Sequence, residues 1–223
     1  MPDAVMLFAA GFGTRMGELT RSRPKPLIEV AGRPLLDHAL ALTEGIPTRV
    51  VNAHYQAGQI AAYLQGSGIA VSVEEPDILD TGGGLRHALP MLGNGPVYTL
   101  NTDAVWSDDS ALRLLARAWE PARMDALLLC VPLTRAVGRK GGGDFTLGMD
   151  GRLSWGGDMV YTGAQILKMD RLHVIGERAF SLRLLWQAMA EDGRLFGLPY
   201  PGHWCDVGHP EGIALAERML PDV

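Results

Sequence analysis

Residues Ala4-Val5-Met6-Leu7-Phe8-Ala9-Ala10-Gly11-Phe12-Gly13-Thr14-Arg15-Met16 begin as an unbroken apolar run and end in glycine and a cation. A short continuous apolar run reads as a buried strand, here over Ala4–Ala10. The composition then changes abruptly. Gly11 and Gly13 permit tight curvature and let main-chain N–H groups approach an anion closely. Arg15 places one cation beside the curve, and Lys25, set between Pro24 and Pro26, places a second. A residue before proline avoids the helical region, so Ser22–Pro26 is expected to be extended and to hold Lys25 in a stiff frame. The loop reads as a polyphosphate cradle; the simpler alternative is that its glycines only turn the chain.

Further apolar runs lie at Arg49–Ala53, Ala70–Val73, Val97–Leu100 and Ala126–Val131, with helical spacing between them over Leu35–Leu42, Gln59–Leu64, Leu85–Leu92 and Ala111–Trp119. This alternation predicts an α/β fold with a doubly wound, mostly parallel sheet and helices on both faces. In such sheets ligands bind outside the carboxyl ends of the strands, which directs attention to the loops after Ala10, Val73, Leu100 and Val131. The alternation stops near Pro132. Shorter pieces at Phe145–Leu147, Leu153–Trp155 and Val160–Leu167, a helical stretch at Leu182–Ala190, then Leu195–Tyr200, His203–Val207 and Pro210–Leu220 predict a smaller α+β lobe packed on the sheet. One domain is expected, with a nucleotide-binding part over 1–133 and a second part over 134–223.

With 223 residues, 47% hydrophobic and 20% charged, the chain can bury a sizeable globular core. Its net charge of −5 argues against a general nucleic-acid binder, while leaving room for a small anion held by local Arg and Lys. Cys130 and Cys205 suggest neither a disulfide framework nor a zinc site, so a reducing cytoplasm is the expected location. No signal-peptide pattern opens the chain and no apolar run approaches the ~18 residues of a membrane span. Neither nucleic acid nor a membrane is an expected partner. Assembly stays open between a monomer and a small homo-oligomer.

The glycine-rich turn invites a dinucleotide-binding reading, but Gly17 comes one position late for G-x-G-x-x-G, and the proline-broken Arg21–Pro26 offers no helix to follow. No Walker A pattern occurs either. The longer stretch LFAAGFGTRMGELTRSRPKPLIEVAGRPLLDHAL instead resembles the signature of sugar-1-phosphate nucleotidyltransferases. That resemblance implies a Rossmann-like nucleotide-diphospho-sugar transferase fold. It also implies that Ala9, Ala10, Gly11, Gly13, Thr14 and Arg15 wrap the nucleotide, and that Arg15 and Lys25 act on its phosphates as the catalytic cations.

Asp80-Thr81-Gly82-Gly83-Gly84 follows the third strand, and could simply start a helix capped by Asp80 or Thr81. The resemblance assigns Thr81 and Gly82 to the nucleobase, with Glu75 as a possible support of that loop. Asp103 stands just past the strand ending at Leu100; a solvated loop aspartate is the bland alternative. By resemblance Asp103 in N-x-D and Asp206 in W-x-D-V-G are the two aspartates that hold Mg²⁺, a hard cation suited to carboxylate, phosphate and water oxygens. Asn101, Asp144, Thr162 and Gly163 match positions that contact the sugar, although Gly163 could equally be a close backbone approach within a sheet. The family's sugar-lobe glutamate and lysine have no counterpart near Trp155-Gly156-Gly157-Asp158. Thr102 and Ala104 are further small departures.

The combination D-T-G-G-G, N-x-D, G-G-D-F, Y-T-G and H-W-x-D-V-G is similar to the N-acetylmuramate-1-phosphate uridylyltransferase branch, which acts in cell-wall recycling. The partners this implies are UTP and a sugar 1-phosphate. Mannose-1-phosphate guanylyltransferases share much of the pattern and remain an alternative, as does a noncatalytic nucleotide-sugar-binding protein on the same fold.

Overall fold

The computed structural model describes residues 1–220. Of the expected second part, 134–223, the last three positions lie outside the described residues. Strands β1 (Ala4–Phe8), β2 (Thr48–Ala53), β3 (Ala70–Val73) and β4 (Val97–Asn101) form the parallel half of a nine-stranded sheet in the order β3-β2-β1-β4. Phe8 lies opposite Asn52 on one side and Asn101 on the other, so three loops leave the sheet at one edge. The order reverses between β1 and β4, which opens a crevice at their carboxyl ends.

Both faces of β1 are covered, which is why its sequence shows no polar alternation. Val5 and Leu7 pack in one core with α1 (Leu35–Ala41), α2 (Ala57–Tyr63) and α4 (Ala111–Ala118). Ala4 and Met6 pack in the other with α3 (Asp80–Leu92) and α5 (Arg183–Glu191).

Most of the later strands join this same sheet. The later strands are β5 (Ala104–Trp106), β6 (Ala126–Pro132), β7 (Phe145–Leu147), β8 (Leu153–Trp155), β9 (Met159–Leu167), β10 (Leu195–Pro199) and β11 (Trp204–Asp206). All but β5 and β11 extend the large sheet, with β9 antiparallel to β4 and to β6, and β10 parallel to β6. Strands β5 and β11 pair antiparallel, placing Asp206 opposite Ala104, and Ala136–Val137 adds a short third strand beside β11. The last helix, α6 (Pro210–Met219), packs behind β11. A third, smaller core of Met16, Ile28, Val30, Leu35, Val105, Cys205, Val207 and Ala216 joins the first loop to this ribbon.

Two local expectations change. Thr14–Thr20 forms 3₁₀ turns broken at Gly17, so the chain after the glycines is more coiled than its prolines suggest. Pro24 is extended, but Lys25 opens a further 3₁₀ turn over Lys25–Leu27, closed by the Leu27 N–H donating to the Pro24 carbonyl at 3.0 Å.

Candidate active site

A cavity of about 440 Å³ lies at the carboxyl edge, bounded by Phe8–Arg15, Lys25, Glu74, Thr81 and Asn101–Asp103. Gly13 adopts φ +63°, and a Cβ there would come within 2.9 Å of both Lys25 Cβ and Thr20 Cγ2. Glycine is therefore required twice over, by conformation and by the approach of the Lys25 stem. Lys25 is nearly buried, and its Nζ donates to Asp103 Oδ2 at 2.8 Å. Met16, buried in the third core, anchors the same loop.

Asp103 and Asp206 are brought together by the β5–β11 ribbon, where the Val207 N–H donates to the Asp103 carbonyl at 2.9 Å. Burial pushes the Asp206 carboxyl up and the Asp103 charge adds to this, while Lys25, Arg15 and Arg139 act in the opposite direction. Arg15 Nη1 and Asp206 Oδ1 both close on Gly208, where an added Cβ would sit 3.3 Å and 2.9 Å from them. Two neighbouring carboxylates, one disfavoured by the other's charge, make a hard-oxygen pair that a divalent cation fits. Among the described residues no group of three or more His, Cys, Asp or Glu side chains could hold a metal, so substrate phosphates and water would complete such a shell. Thr102 donates its hydroxyl to the Phe8 carbonyl at 2.7 Å, which ties the Asp103 turn to the end of β1 and accounts for a threonine there.

Behind the loop runs a buried relay that the sequence reading missed. The Ala9 N–H donates to Asn52 Oδ1 at 2.7 Å, Asn52 Nδ2 donates to Glu74 Oε1 at 2.6 Å, and the Leu79 N–H donates to Glu74 Oε2 at 2.7 Å. The two loops that flank this cavity are thereby fixed to one another. The available signal was an asparagine inside Val50-Val51-Asn52-Ala53 and a glutamate at a strand end, next to the Glu75 considered above.

The glycine-rich turn at 82–84 is placed differently from expectation. Gly82, Gly83 and Gly84 lie inside α3, and the Gly82 and Gly83 N–H groups both donate to the Phe180 carbonyl, at 2.8 and 3.0 Å. A side chain at Gly82 would overlap Phe180. Gly82 is therefore buried under the 178–180 segment instead of lining the cavity, whereas Thr81 does line it.

A second cavity, about 430 Å³, shares Asn101 with the first and is walled by Arg139, Asp144, Trp155, Tyr161, Arg183 and Trp186. Asp144 is present, but its Oδ1 pairs with Arg139 Nη2 at 2.7 Å and its Oδ2 accepts the Tyr161 N–H at 2.9 Å. Thr162 is turned away: it is buried and its hydroxyl donates to the Leu129 carbonyl at 2.7 Å. Gly163, at φ +88°, packs against Asn101, where an added Cβ would come within 2.7 Å of Asn101 Cβ. It supports the shared residue from behind and does not line the cavity. Arg139, Trp155, Arg183 and Trp186 were not among the expected site residues.

Residues 5–211 match the family described as MobA-like NTP transferase domain. The chain belongs to that family. It is 39% identical to an N-acetylmuramate alpha-1-phosphate uridylyltransferase of Caulobacter vibrioides, over 99% of this chain and 98% of the relative. It is 30% identical to the protein of the same name from Neisseria meningitidis serogroup B, over 91% and 92% of the two chains. Both relatives are nucleotidyltransferases by name. Among solved structures, HddC from Yersinia pseudotuberculosis in complex with GMP-PN aligns over 98% of this chain and 99% of its own, with a TM-score of 0.77 at 19% identity, a likeness of fold. The doubly wound sheet read from the sequence is thus the fold of the family. Among the described residues no helix is long and apolar enough to cross a membrane.

Proposed function

We propose that this family member transfers the uridylyl group of UTP to N-acetylmuramate 1-phosphate, forming UDP-N-acetylmuramate and pyrophosphate. The observation that carries the reading is the convergence of Arg15, Lys25, Asp103 and Asp206 beside two cavities that share Asn101. One cavity takes the triphosphate and the other the sugar phosphate. The sugar-phosphate oxygen attacks the α-phosphorus; the bond from that phosphorus to the β-bridging oxygen breaks, and pyrophosphate leaves with the electron pair. The nucleophile is ionised at neutral pH, so no general base is needed. The protein's task is to align two anions and stabilise charge that builds in the transition state. Arg15 steadies the leaving pyrophosphate, and Lys25 neutralises charge at the reacting phosphates while holding Asp103. Asp103 and Asp206 would hold Mg²⁺, which supplies Lewis-acid stabilisation of phosphoryl oxygens when bound. The relatives' names support uridine and N-acetylmuramate.

The division of labour follows the chain, with 1–133 supplying most of the nucleotide cavity and 134–223 the sugar side and Asp206. The test is pyrophosphate release with Mg²⁺ across UTP, GTP, CTP and dTTP, paired with N-acetylmuramate, N-acetylglucosamine and mannose 1-phosphates. UTP with N-acetylmuramate 1-phosphate is expected to give the highest kcat/KM. A higher value for GTP with mannose 1-phosphate would overturn the substrate assignment, and no turnover with any pair would overturn the enzyme.

A further inference from the structure

The second cavity contains two arginines in different situations. Arg139 is neutralised by Asp144 at 2.7 Å. Arg183 lies with its guanidinium over the Trp155 ring, 4.4 Å from the centroid, and among the described residues its side chain makes no ion pair and no hydrogen bond. Trp155 in turn rests on Phe145 at 4.8 Å, so the stack has a fixed base. Arg183 is also the first residue of α5, and no acidic residue stands in that helix's first turn. A cation there opposes the helix dipole, so the helix itself gives no reason for an arginine. The helix end and the guanidinium together make one rim of the cavity electropositive, and a planar fork held on an aromatic face is prepared for a carboxylate.

We propose that Arg183 is the specificity residue of this cavity: its guanidinium, laid on Trp155, pairs with a carboxylate carried by the sugar, selecting a carboxylate-bearing sugar 1-phosphate over the same sugar without one. The inference rests on the proposed function, since N-acetylmuramate differs from N-acetylglucosamine by a lactyl ether that ends in a carboxylate. The interaction lies away from the reacting phosphates, so it acts on substrate affinity more than on the chemical step.

The experiment measures kcat and KM for both sugar 1-phosphates with UTP, in the wild type, Arg183→Gln and Arg183→Lys, with the KM for UTP as the check on folding. The wild type is expected to prefer N-acetylmuramate 1-phosphate. Arg183→Gln should lower kcat/KM for that substrate about 10- to 100-fold, chiefly through KM, and leave N-acetylglucosamine 1-phosphate within about twofold. Arg183→Lys, which keeps the charge but loses the planar fork and its stacking on Trp155, should retain only part of the preference, between wild type and Arg183→Gln. A wild-type preference that Arg183→Gln leaves intact, or a loss equal for both sugars, overturns the role of Arg183 while the substrate assignment stands. A wild type that shows no preference overturns that assignment, and the role of Arg183 with it.

Discussion

The first cavity is walled by a loop of small residues, the second by large side chains from separate elements. In the first, Ala9, Ala10, Gly11, Gly13 and Thr14 leave the main chain itself open to the cavity, and the Asn52–Glu74 relay holds that chain from behind. In the second, Arg139, Trp155, Arg183 and Trp186 do the shaping, and backbone serves mainly to aim them. A triphosphate presents the same oxygens whatever the base, so a fixed main-chain cradle suits it. Sugars differ in their substituents, and a surface of side chains can be changed one residue at a time.

The largest effect is expected at the groups proposed to act on the reacting phosphates. Asp206→Ala should remove ~3 kcal/mol or more of transition-state stabilisation, on the order of a hundredfold or greater loss in kcat, with the fold intact by circular dichroism. Lys25→Ala should come close to it. Retention of full activity by Asp206→Ala would separate that residue from the chemistry.

Next comes the relay. Glu74→Ala leaves the Asn52 amide and the Leu79 N–H without an acceptor inside the core, a loss of ~2–4 kcal/mol in a denaturant titration. The KM for UTP should rise while that for the sugar phosphate stays nearly constant; an equal rise in both would mean that the cavities are not built independently.

Gly163→Ala should cost ~1–3 kcal/mol, because φ +88° is unfavourable for alanine and the new methyl presses on Asn101. Since Asn101 borders both cavities, both KM values should move together, the opposite pattern from Glu74→Ala.

The smallest effect on activity is expected from a control remote from either cavity. Asp125, nearly buried, pairs with Lys168 at 3.0 Å and Arg194 at 2.9 Å. Burial raises its carboxyl, but hydrogen bonds and charge from Lys168 and Arg194 outweigh this and leave it below the ordinary value. A depressed folded-state value means that the stabilisation is present above the unfolded value of about 3.9 and lost as pH falls through the folded one. Asp125→Asn should therefore destabilise by about 2 kcal/mol at neutral pH, with the gap from wild type closing below ~pH 4 and kcat unchanged.

How far the sequence could be read follows the same division. The first loop was legible in part because glycine frees and proline restricts the backbone locally, so Gly13 carries its meaning without knowledge of distant residues, whereas the extended frame expected around Lys25 gives way to a 3₁₀ turn over Lys25–Leu27. The strand–helix alternation was legible because β1, buried on both faces, has no polar interruption. Asp103 and Asp206 were reachable only through motif resemblance, since the ribbon that joins them is formed by segments far apart in the chain. Arg139, Trp155, Arg183 and Trp186 had no common spacing to betray them. The glycines at 82–84 show the reverse case: in a run that resembles a ligand contact, Gly82 and Gly83 let α3 approach the 178–180 segment closely and Gly84 makes room for the Asn52–Glu74 pair.

Asn101 stands between the two compartments and is backed by Gly163, with no room to retreat. On the proposed assignment, a sugar nucleotide would have to extend past this residue and occupy space on both sides of it. Such a product would then be a bisubstrate competitor, excluding fresh nucleotide and fresh sugar phosphate alike. The partition that would bring the reactants together would also let the concentration of the product set the rate at which more of it is made.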